Sequence, residues 1–291
     1  MPVNPDALVT TDWVADHLDD PSVVIAEVDE DTTAYASGHI PGAIAFHWRN
    51  DFQDPLRRGF LDGEGFERLM DSRGVTRDDH VVLYGGSSNW FAAYAYWYFR
   101  IYGHPRVSLM NGGRKLWELQ GRTLTDEEPK REPTSGYRAA GPDTSIRAKR
   151  DQVLAEFVGA PSGTALVDVR SPAEYVGEIA APEHLPQEAA QVKGHIPGAA
   201  NVPWGKAVDP DTGAFLPVES LRQLYAGQGV TPDKEVVAYC RIGERSAHTW
   251  FVLRELLGYG SVRNYDGSWT EYGSLVDVPV ERGTPTPTAS A

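Results

Sequence analysis

The hexapeptide Gly38-His39-Ile40-Pro41-Gly42-Ala43 occurs a second time, unchanged, as Gly194-His195-Ile196-Pro197-Gly198-Ala199. Outward from this pair, Gly74-Val75-Thr76 leads into Val81-Val82-Leu83-Tyr84, just as Gly229-Val230-Thr231 leads into Val236-Val237-Ala238-Tyr239. The spacing between the matched segments is constant to within one residue. Self-similarity on this scale indicates a duplicated domain, so we expect two units with the same fold.

The stretch between the copies is polar and contains prolines from Thr125 to Gly136, which is typical of a connector. We therefore predict an N-terminal domain at residues 1–130, a linker at 131–145 and a C-terminal domain at 146–282. The final stretch, 283–291, has no large apolar side chain to bury, and we predict a disordered tail there.

Composition narrows the classes of function. The 291 residues are 41% hydrophobic and 23% charged, which suits two globular cores, and the formal net charge is −14. That charge repels nucleic acid and anionic lipid, so neither is an expected partner, and an anionic substrate would need a locally positive pocket. With no signal-like N-terminus and no apolar run of about 20 residues, we expect a cytoplasmic protein without a membrane partner.

Each copy alternates β-branched runs with helical periodicity, which predicts an α/β fold with a mainly parallel sheet in each domain. In the second copy the predicted strands are 165–169 and 235–239. A period of 3.6 follows Ser246 and predicts a helix. Cys240, the only cysteine of the chain, therefore lies between the carboxyl end of a strand and the start of a helix, where open α/β sheets usually bind ligands.

The loop Cys240-Arg241-Ile242-Gly243-Glu244-Arg245-Ser246 is short enough to force a tight turn around the cysteine. Such a turn, followed by a helix N-terminus, directs backbone N–H groups towards the sulfur, and Gly243 allows left-handed backbone angles. With Arg241 and Arg245 nearby, we expect a lowered thiol pKa, a reactive thiolate and two candidate anion clamps. The alternative is a buried structural cysteine beside two solvated arginines.

This loop resembles the active-site loop of the rhodanese family. The paired Gly-His-Ile-Pro-Gly-Ala segments, Val167-Asp168-Val169-Arg170-Ser171-Pro172 and Tyr265-Asp266-Gly267-Ser268-Trp269 are also similar to family signatures. The resemblance implies a tandem enzyme with two rhodanese-like domains, of which the C-terminal copy is catalytic. It also implies that no metal or organic cofactor is needed. In the N-terminal copy, Gly85 stands where Cys240 stands in the second.

The resemblance also implies roles for single residues. Arg170 is expected to contact the anionic end of the substrate, Ser268 to donate a hydrogen bond to the persulfide sulfur, and Asp168 to accept hydrogen bonds near the loop. Ile242, Gly243, Glu244 and Ser246 are loop positions. Glu244 departs from the more basic family loops, and the sequence leaves open whether it faces the pocket or turns outward to pair with an arginine.

Three positions invite both a structural and a functional interpretation. Trp90 either forms an apolar wall beside the active site or belongs to the core, whereas Trp97 and Tyr98 are expected in the core because of their helical spacing. His195 is expected to brace its Pro-Gly turn rather than to transfer protons, since His39 holds the same position in the copy without a cysteine.

The predicted activity is transfer of a sulfane sulfur from thiosulfate, through a Cys240 persulfide, to cyanide or another thiophilic acceptor. Mercaptopyruvate enzymes of the family usually carry Cys-Gly-Ser/Thr-Gly, whereas this loop has Arg241 and Ile242; mercaptopyruvate nevertheless remains an alternative donor. A sulfur-relay module for protein partners is the non-enzymatic alternative. A Cys-x5-Arg phosphatase is disfavoured because Arg245 is the fifth residue after Cys240, which makes the loop one residue too short.

Overall fold

A computed structural model describes residues 3–56, 59–182 and 190–283. The chain divides into two compact units. The first comprises Met1–Thr144 together with Val208–Pro217, and the second comprises Ser145–Ala207 together with Val218–Ala291. Of the predicted disordered tail, only Gly283 lies within the described residues.

The first unit contains a five-stranded sheet in which every pairing is parallel. Its central strands are nearly continuous apolar runs, because helices cover such sheets and leave little room for polar side chains. The strands are β1 (Leu8–Val9), β2 (Val23–Asp29), β3 (Ile44–His47), β4 (His80–Tyr84) and β5 (Arg106–Met110), in the order β1-β5-β4-β2-β3. The helices are α1 (Thr11–Asp16), α2 (Thr33–Ser37), α3 (Gly63–Ser72), α4 (Trp90–Ile101) and α5 (Gly113–Leu119).

The second unit repeats this topology and again pairs all its strands in parallel. The strands are β6 (Arg147–Ala148), β7 (Thr164–Asp168), β8 (Ala200–Asn201), β9 (Glu235–Tyr239) and β10 (Val262–Tyr265), in the order β6-β10-β9-β7-β8. The helices are α6 (Arg150–Glu156), α7 (Pro172–Val176), α8 (Val218–Ala226), α9 (Glu244–Phe251) and α10 (Ser268–Tyr272). The predicted tandem α/β fold is confirmed.

Helix α9 begins at Glu244, three residues earlier than the Ala247 at which the predicted period starts, because the preceding Gly243 adopts left-handed angles that end the loop. In the first unit, Trp97 and Tyr98 are fully buried on α4, which confirms that they belong to the core. Among the described residues, no helix is both long and apolar enough to cross a bilayer.

The repeated hexapeptide forms the same turn in both units. His195 stacks on Tyr175 with ring centroids 3.7 Å apart, and its Nδ1 lies 2.8 Å from the carbonyl oxygen of that tyrosine. His39 makes the equivalent stack and contact with Tyr35, at 3.9 and 2.9 Å. Because the same contacts occur in the unit that has no cysteine, they agree with the bracing role predicted for His195.

Two segments outside the predicted N-terminal domain of residues 1–130 belong to the first unit. Val208–Pro217 closes on itself through a bridge between Val208 and Phe215, and the Phe215 amide donates to Asn111 Oδ1 at 2.9 Å. This segment falls within the range 146–282 that we predicted for the C-terminal domain. The predicted linker is irregular but packed, since Tyr137 is buried and its hydroxyl lies 2.8 Å from His104 Nδ1.

Candidate active site

Cys240 follows the last residue of β9, and the start of α10 holds its backbone on both sides. The Cys240 amide donates to Ser268 Oγ at 3.0 Å, and the Cys240 carbonyl accepts from the Trp269 amide at 3.0 Å. The next carbonyl, of Arg241, accepts from the Thr270 amide at 3.0 Å. These contacts fix the peptide units on which the sulfur depends, and the side chain itself is fully buried.

Gly243 brings a backbone donor to the sulfur. Its amide lies 3.1 Å from Cys240 Sγ, which is the geometry of a donor to a sulfur anion. The residue has φ +97°, and a Cβ there would lie 2.6 Å from the Asp266 Cα. Both the angle and the lack of space require glycine, as the sequence predicted. Ile242, next to it, is buried.

A buried asparagine secures the far side of the loop. Asn264, on β10, donates from Nδ2 to the Gly243 carbonyl at 2.9 Å and accepts from Ser246 Oγ at 2.6 Å. The sequence analysis included Ser246 but missed Asn264. Two signals could have identified Asn264. It precedes the family-like Tyr265-Asp266-Gly267 segment, and a polar residue in a buried strand needs a hydrogen-bond partner.

Glu244 faces the sulfur, which answers the question of orientation that the sequence left open. Its side chain is 0% exposed, and Oε2 lies 3.3 Å from Cys240 Sγ, within reach of an S–H donor. Oε1 lies 3.4 Å from Arg241 Nη2 and 3.9 Å from Arg245 Nε. Glu244 does pair with an arginine, but the pairing occurs inside the site, because α9 starts at this residue and directs its first turn towards the loop.

Each of the three predicted substrate-binding arginines contacts a carboxylate. Arg245 is held by two contacts of 3.1 Å to Glu174, a residue that the sequence analysis missed. The spacing of Ser171 and Glu174 is that of a capping box, which predicts the start of a helix. It gives no sign that Glu174 also binds Arg245, 71 positions further along the chain. Although burial opposes its charge, Glu174 raises the pKa of Arg245 above its ordinary value. The guanidinium charges of the site are therefore already balanced.

Arg170 has contacts typical of a structural residue. It is fully buried, its Nε and Nη2 bind Asp168 at 2.5–3.1 Å, and Nη2 also donates to the Gly194 carbonyl at 2.7 Å. Asp168 is thus the buried acceptor that we expected. Within the described part of the chain, Nη1 of Arg170 has no hydrogen-bond partner, which leaves this atom for any substrate contact.

The first unit makes the same contacts with an arginine from a different position of the repeat. There Arg114, on α5, binds Glu27 at 2.9 and 3.0 Å and donates to the carbonyl of Gly38, the counterpart of Gly194. We call this link from an arginine to a carboxylate and to the hexapeptide turn a brace. Because the first unit has the brace but no nucleophile, the brace there holds the hexapeptide turn. The same contacts of Arg170 support a bracing role in the second unit.

Ser268 uses its hydroxyl proton within the protein. Its Oγ donates to the Tyr265 carbonyl at 2.6 Å and accepts from the Cys240 amide at 3.0 Å. A hydroxyl has a single proton, so Ser268 in this geometry does not donate to a sulfur as we had expected. It instead positions the cysteine backbone, and its φ of +51° shows how tightly this turn is built.

The pKa of the Cys240 thiol is raised, which contradicts the lowered value that we predicted. Burial is the largest cause and Glu244 adds to it, while Arg245 and Ser246 act in the opposite direction. The sequence argument counted the arginines and the backbone donors, but it could not count the loss of solvent or the inward carboxylate. The resting side chain is therefore a thiol at neutral pH.

The match to a known family model covers both units. The Rhodanese-like domain model matches residues 10–120 and again residues 151–275. The chain belongs to the rhodanese family. It is a sulfurtransferase of that family with two tandem domains, which confirms the resemblance found in the sequence.

Several relatives of this rhodanese match over nearly the whole length. A protein of Saccharopolyspora erythraea named "Putative thiosulfate sulfurtransferase" is 60% identical, over 95% of this chain and 96% of its own. The Thermus thermophilus protein named "Sulfur carrier protein TtuD" is 54% identical, over 96% of this chain and 98% of its own. The wild-type structure of EanB superposes with a TM-score of 0.84 at 24% identity, covering 96% of this chain and 70% of that one, and so shows the fold.

The remaining predicted site residue, Trp90, belongs to the first rhodanese unit. It begins α4, is partly exposed and packs against Phe91 with ring centroids 4.9 Å apart. Its role as a wall of the active site stays a prediction. Among the described residues, the His, Cys, Asp and Glu side chains form no group of three or more that could hold a metal ion.

Proposed function

We propose that Cys240 accepts a sulfane sulfur as a persulfide and transfers it to a thiophilic acceptor. The observation that carries this proposal is the Gly243 amide 3.1 Å from Cys240 Sγ, in a loop whose backbone is fixed by α10 and Asn264. A donor held there without side-chain freedom can stabilise negative charge on sulfur at little cost in reorganisation.

Thiosulfate is the proposed small-molecule donor. The relatives named for thiosulfate support it, and so does the presence of Arg241 where mercaptopyruvate-type loops carry glycine. In the reaction, Sγ attacks the outer sulfur, the sulfur–sulfur bond of thiosulfate breaks, and sulfite leaves with the electron pair. Because Arg241 and Arg245 already contact carboxylates, a dianion must compete with Glu244 or Glu174 for them.

Intact-mass spectrometry tests the persulfide directly. After thiosulfate alone, the chain should gain the mass of one sulfur, and cyanide should remove it. The Cys240→Ser variant is the matched control and should neither gain the mass nor turn over. Loading of that variant would refute the proposal.

Parallel assays with thiosulfate and 3-mercaptopyruvate identify the donor. Replacing Arg241 by glycine should weaken the use of thiosulfate more than that of mercaptopyruvate, because the arginine is proposed to offset the second negative charge. An equal loss with both donors would mean that Arg241 holds the loop rather than selecting the donor.

A second candidate function is delivery of the sulfur to a protein partner. The 54% identity to a protein named as a sulfur carrier favours it, and both functions need the same persulfide. Single-turnover discharge of the loaded chain to protein thiols and to cyanide separates the two. Faster discharge to a protein thiol at equal concentration would identify a relay, and faster discharge to cyanide an enzyme of small molecules.

The phosphatase alternative loses further support from the contacts of Arg245. A phosphate-binding loop needs this arginine for the phosphate oxygens, whereas here Glu174 occupies it with two contacts of 3.1 Å. The contacts with Glu174 therefore favour a sulfurtransferase loop over a phosphate-binding loop.

A further inference from the structure

Glu244 and Cys240 form a buried pair whose side chains lie within hydrogen-bonding distance of each other. Oε2 of Glu244 lies 3.3 Å from Sγ, and the cysteine and glutamate side chains are both 0% exposed. Water therefore does not reach either group in this structure. A proton that leaves the sulfur has the Glu244 carboxylate as its nearest acceptor.

The charged side chains around Cys240 and Glu244 favour a net charge of −1 for the two groups together. Arg241 contacts Glu244 from the loop, and Arg245 contacts it from α9 while remaining bound to Glu174 of α7. Two residues after β7, Arg170 is neutralised by Asp168, the last residue of that strand. A thiolate beside an ionised Glu244 would place two negative charges next to each other in a dry site, which is strongly unfavourable.

We propose that Glu244 is a catalytic residue that takes the thiol proton when Cys240 attacks the sulfur donor and returns it when the sulfur is passed on. This inference rests on the persulfide cycle proposed above. It names a proton carrier for that cycle, and it explains why a carboxylate lies inside a site that has to accept an anion.

The loading step balances with this assignment. The Cys240 S–H bond breaks and its proton moves to Glu244 Oε2, while the sulfur electron pair forms a bond to the outer sulfur of thiosulfate. Sulfite leaves with the electrons of the old sulfur–sulfur bond. The pair starts as a thiol and a carboxylate and ends as a persulfide anion and a carboxylic acid, so its charge stays at one negative.

Discharge reverses the proton transfer. The acceptor, cyanide or a thiolate, attacks the terminal sulfur of the persulfide, and the bond between that sulfur and Sγ breaks. The electron pair of this bond goes to Sγ, which takes the proton back from Glu244. The products are thiocyanate or an acceptor persulfide, the Cys240 thiol and the Glu244 carboxylate. Glu244 thus protonates the leaving sulfur, which makes it a better leaving group.

The raised pKa of the Cys240 thiol agrees with this cycle. Burial first and Glu244 second favour the protonated sulfur at rest, against Arg245 and Ser246. A cysteine that is a thiol at neutral pH needs a base when it attacks. The carboxylate that raises the pKa is the group placed to supply that base.

Infrared difference spectroscopy on the unaltered chain tests the proton transfer. Loading with thiosulfate should convert one carboxylate band into a protonated-carboxyl band, and cyanide should reverse the change. In Glu244→Gln the loading-dependent band should be missing. Persulfide formation without a protonated carboxyl would overturn the role of Glu244 and leave the sulfurtransferase function intact. Failure to form any persulfide would instead overturn the proposed function.

Kinetics of Glu244→Gln provide a second test. Discharge of the persulfide should slow by about 10²–10⁴-fold, the usual contribution of a general acid. Loading by thiosulfate at neutral pH should slow as well, because the thiol has lost its base, and this loss should diminish as rising pH ionises the thiol directly. If Glu244 only held the loop together, the loss would be the same at every pH, and that result would refute the proposal.

Two further variants serve as controls. Glu219→Gln removes an exposed carboxylate from α8 of the same unit and should change neither rate. Glu244→Asp keeps the acid but shortens it, and it should recover part of the discharge rate. If Glu244→Gln does not fold, the infrared result on the unaltered chain decides alone.

Discussion

Gly243→Ala should destabilise the chain and disable its sulfur site, by two contributions that can be separated. An L-residue at φ +97° costs about 1–2 kcal/mol relative to glycine. The new methyl group would also lie 2.6 Å from Asp266 Cα and 2.8 Å from Asp266 Cβ, and forcing such a contact costs about 1–3 kcal/mol more. The free energy of unfolding should therefore fall by about 2–5 kcal/mol.

Gly163→Ala is the matched control. Gly163 is exposed, lies in the same unit and has φ +85°, but a Cβ there would meet nothing within 4 Å. In this variant the free energy of unfolding should fall only by the cost of the left-handed backbone, about 1–2 kcal/mol. Urea unfolding of both variants measures the difference. Equal losses would show that the close approach to Asp266 does not exist, and the account of this loop would be wrong.

The catalytic effect of Gly243→Ala follows from its amide. Moving that donor away from Sγ removes a hydrogen bond to a charged sulfur, worth about 1.5–3 kcal/mol. Persulfide loading by thiosulfate should therefore slow by about ten- to a hundredfold. Gly163→Ala should load at the unaltered rate. Normal loading by Gly243→Ala would mean that its amide does not stabilise the sulfur anion.

Three further predictions concern residues of the second unit. Arg170→Gln should lower the free energy of unfolding in urea by about 3–5 kcal/mol, because it leaves Asp168 buried without its cation. A small loss of stability with a raised KM for thiosulfate would instead identify Arg170 as a substrate ligand. Iodoacetamide alkylation of Cys240 should be slow at neutral pH and should become faster only above about pH 8.5, the ordinary thiol pKa. The reason is that burial and Glu244 raise the pKa of the thiol and keep the sulfur protonated. Rapid alkylation at pH 7 would contradict this prediction. His195→Gln should cost about 1 kcal/mol of stability through its lost contact with Tyr175 and leave the pH profile of sulfur transfer unchanged, whereas a changed profile would assign it a proton-transfer role.

The fold was predictable from sequence wherever the signal is local or repeated. The β-branched run that forms β9 and the helical period after it located Cys240 correctly at the carboxyl edge of the sheet. The two-residue strands β1, β6 and β8 have no such signal, because two residues define no period. The grouping of Val208–Pro217 with the first unit was equally invisible, since it depends on contacts far away in sequence.

The loop residues of the site were predictable, but their partners Asn264 and Glu174 and the charge balance were not. Gly243 was identified from the loop alone, because its role follows from backbone geometry. The partner of Arg245 is Glu174, which only the folded sheet brings near. The direction of the thiol pKa shift depends on burial and on which way Glu244 points, and neither property can be read from the order of residues.

The two braces of the hexapeptide turn also constrain how the repeats can diverge. In the first unit the guanidinium comes from Arg114, and Asp29 stands at the position of Arg170; in the second it comes from Arg170, and Trp269 stands at the position of Arg114. Recombination between the copies that exchanged only one of these positions would leave a turn with two guanidinium groups or with none. The two sites are therefore expected to be epistatic, so that each arginine can be lost or gained only together with a change at the other end of its repeat.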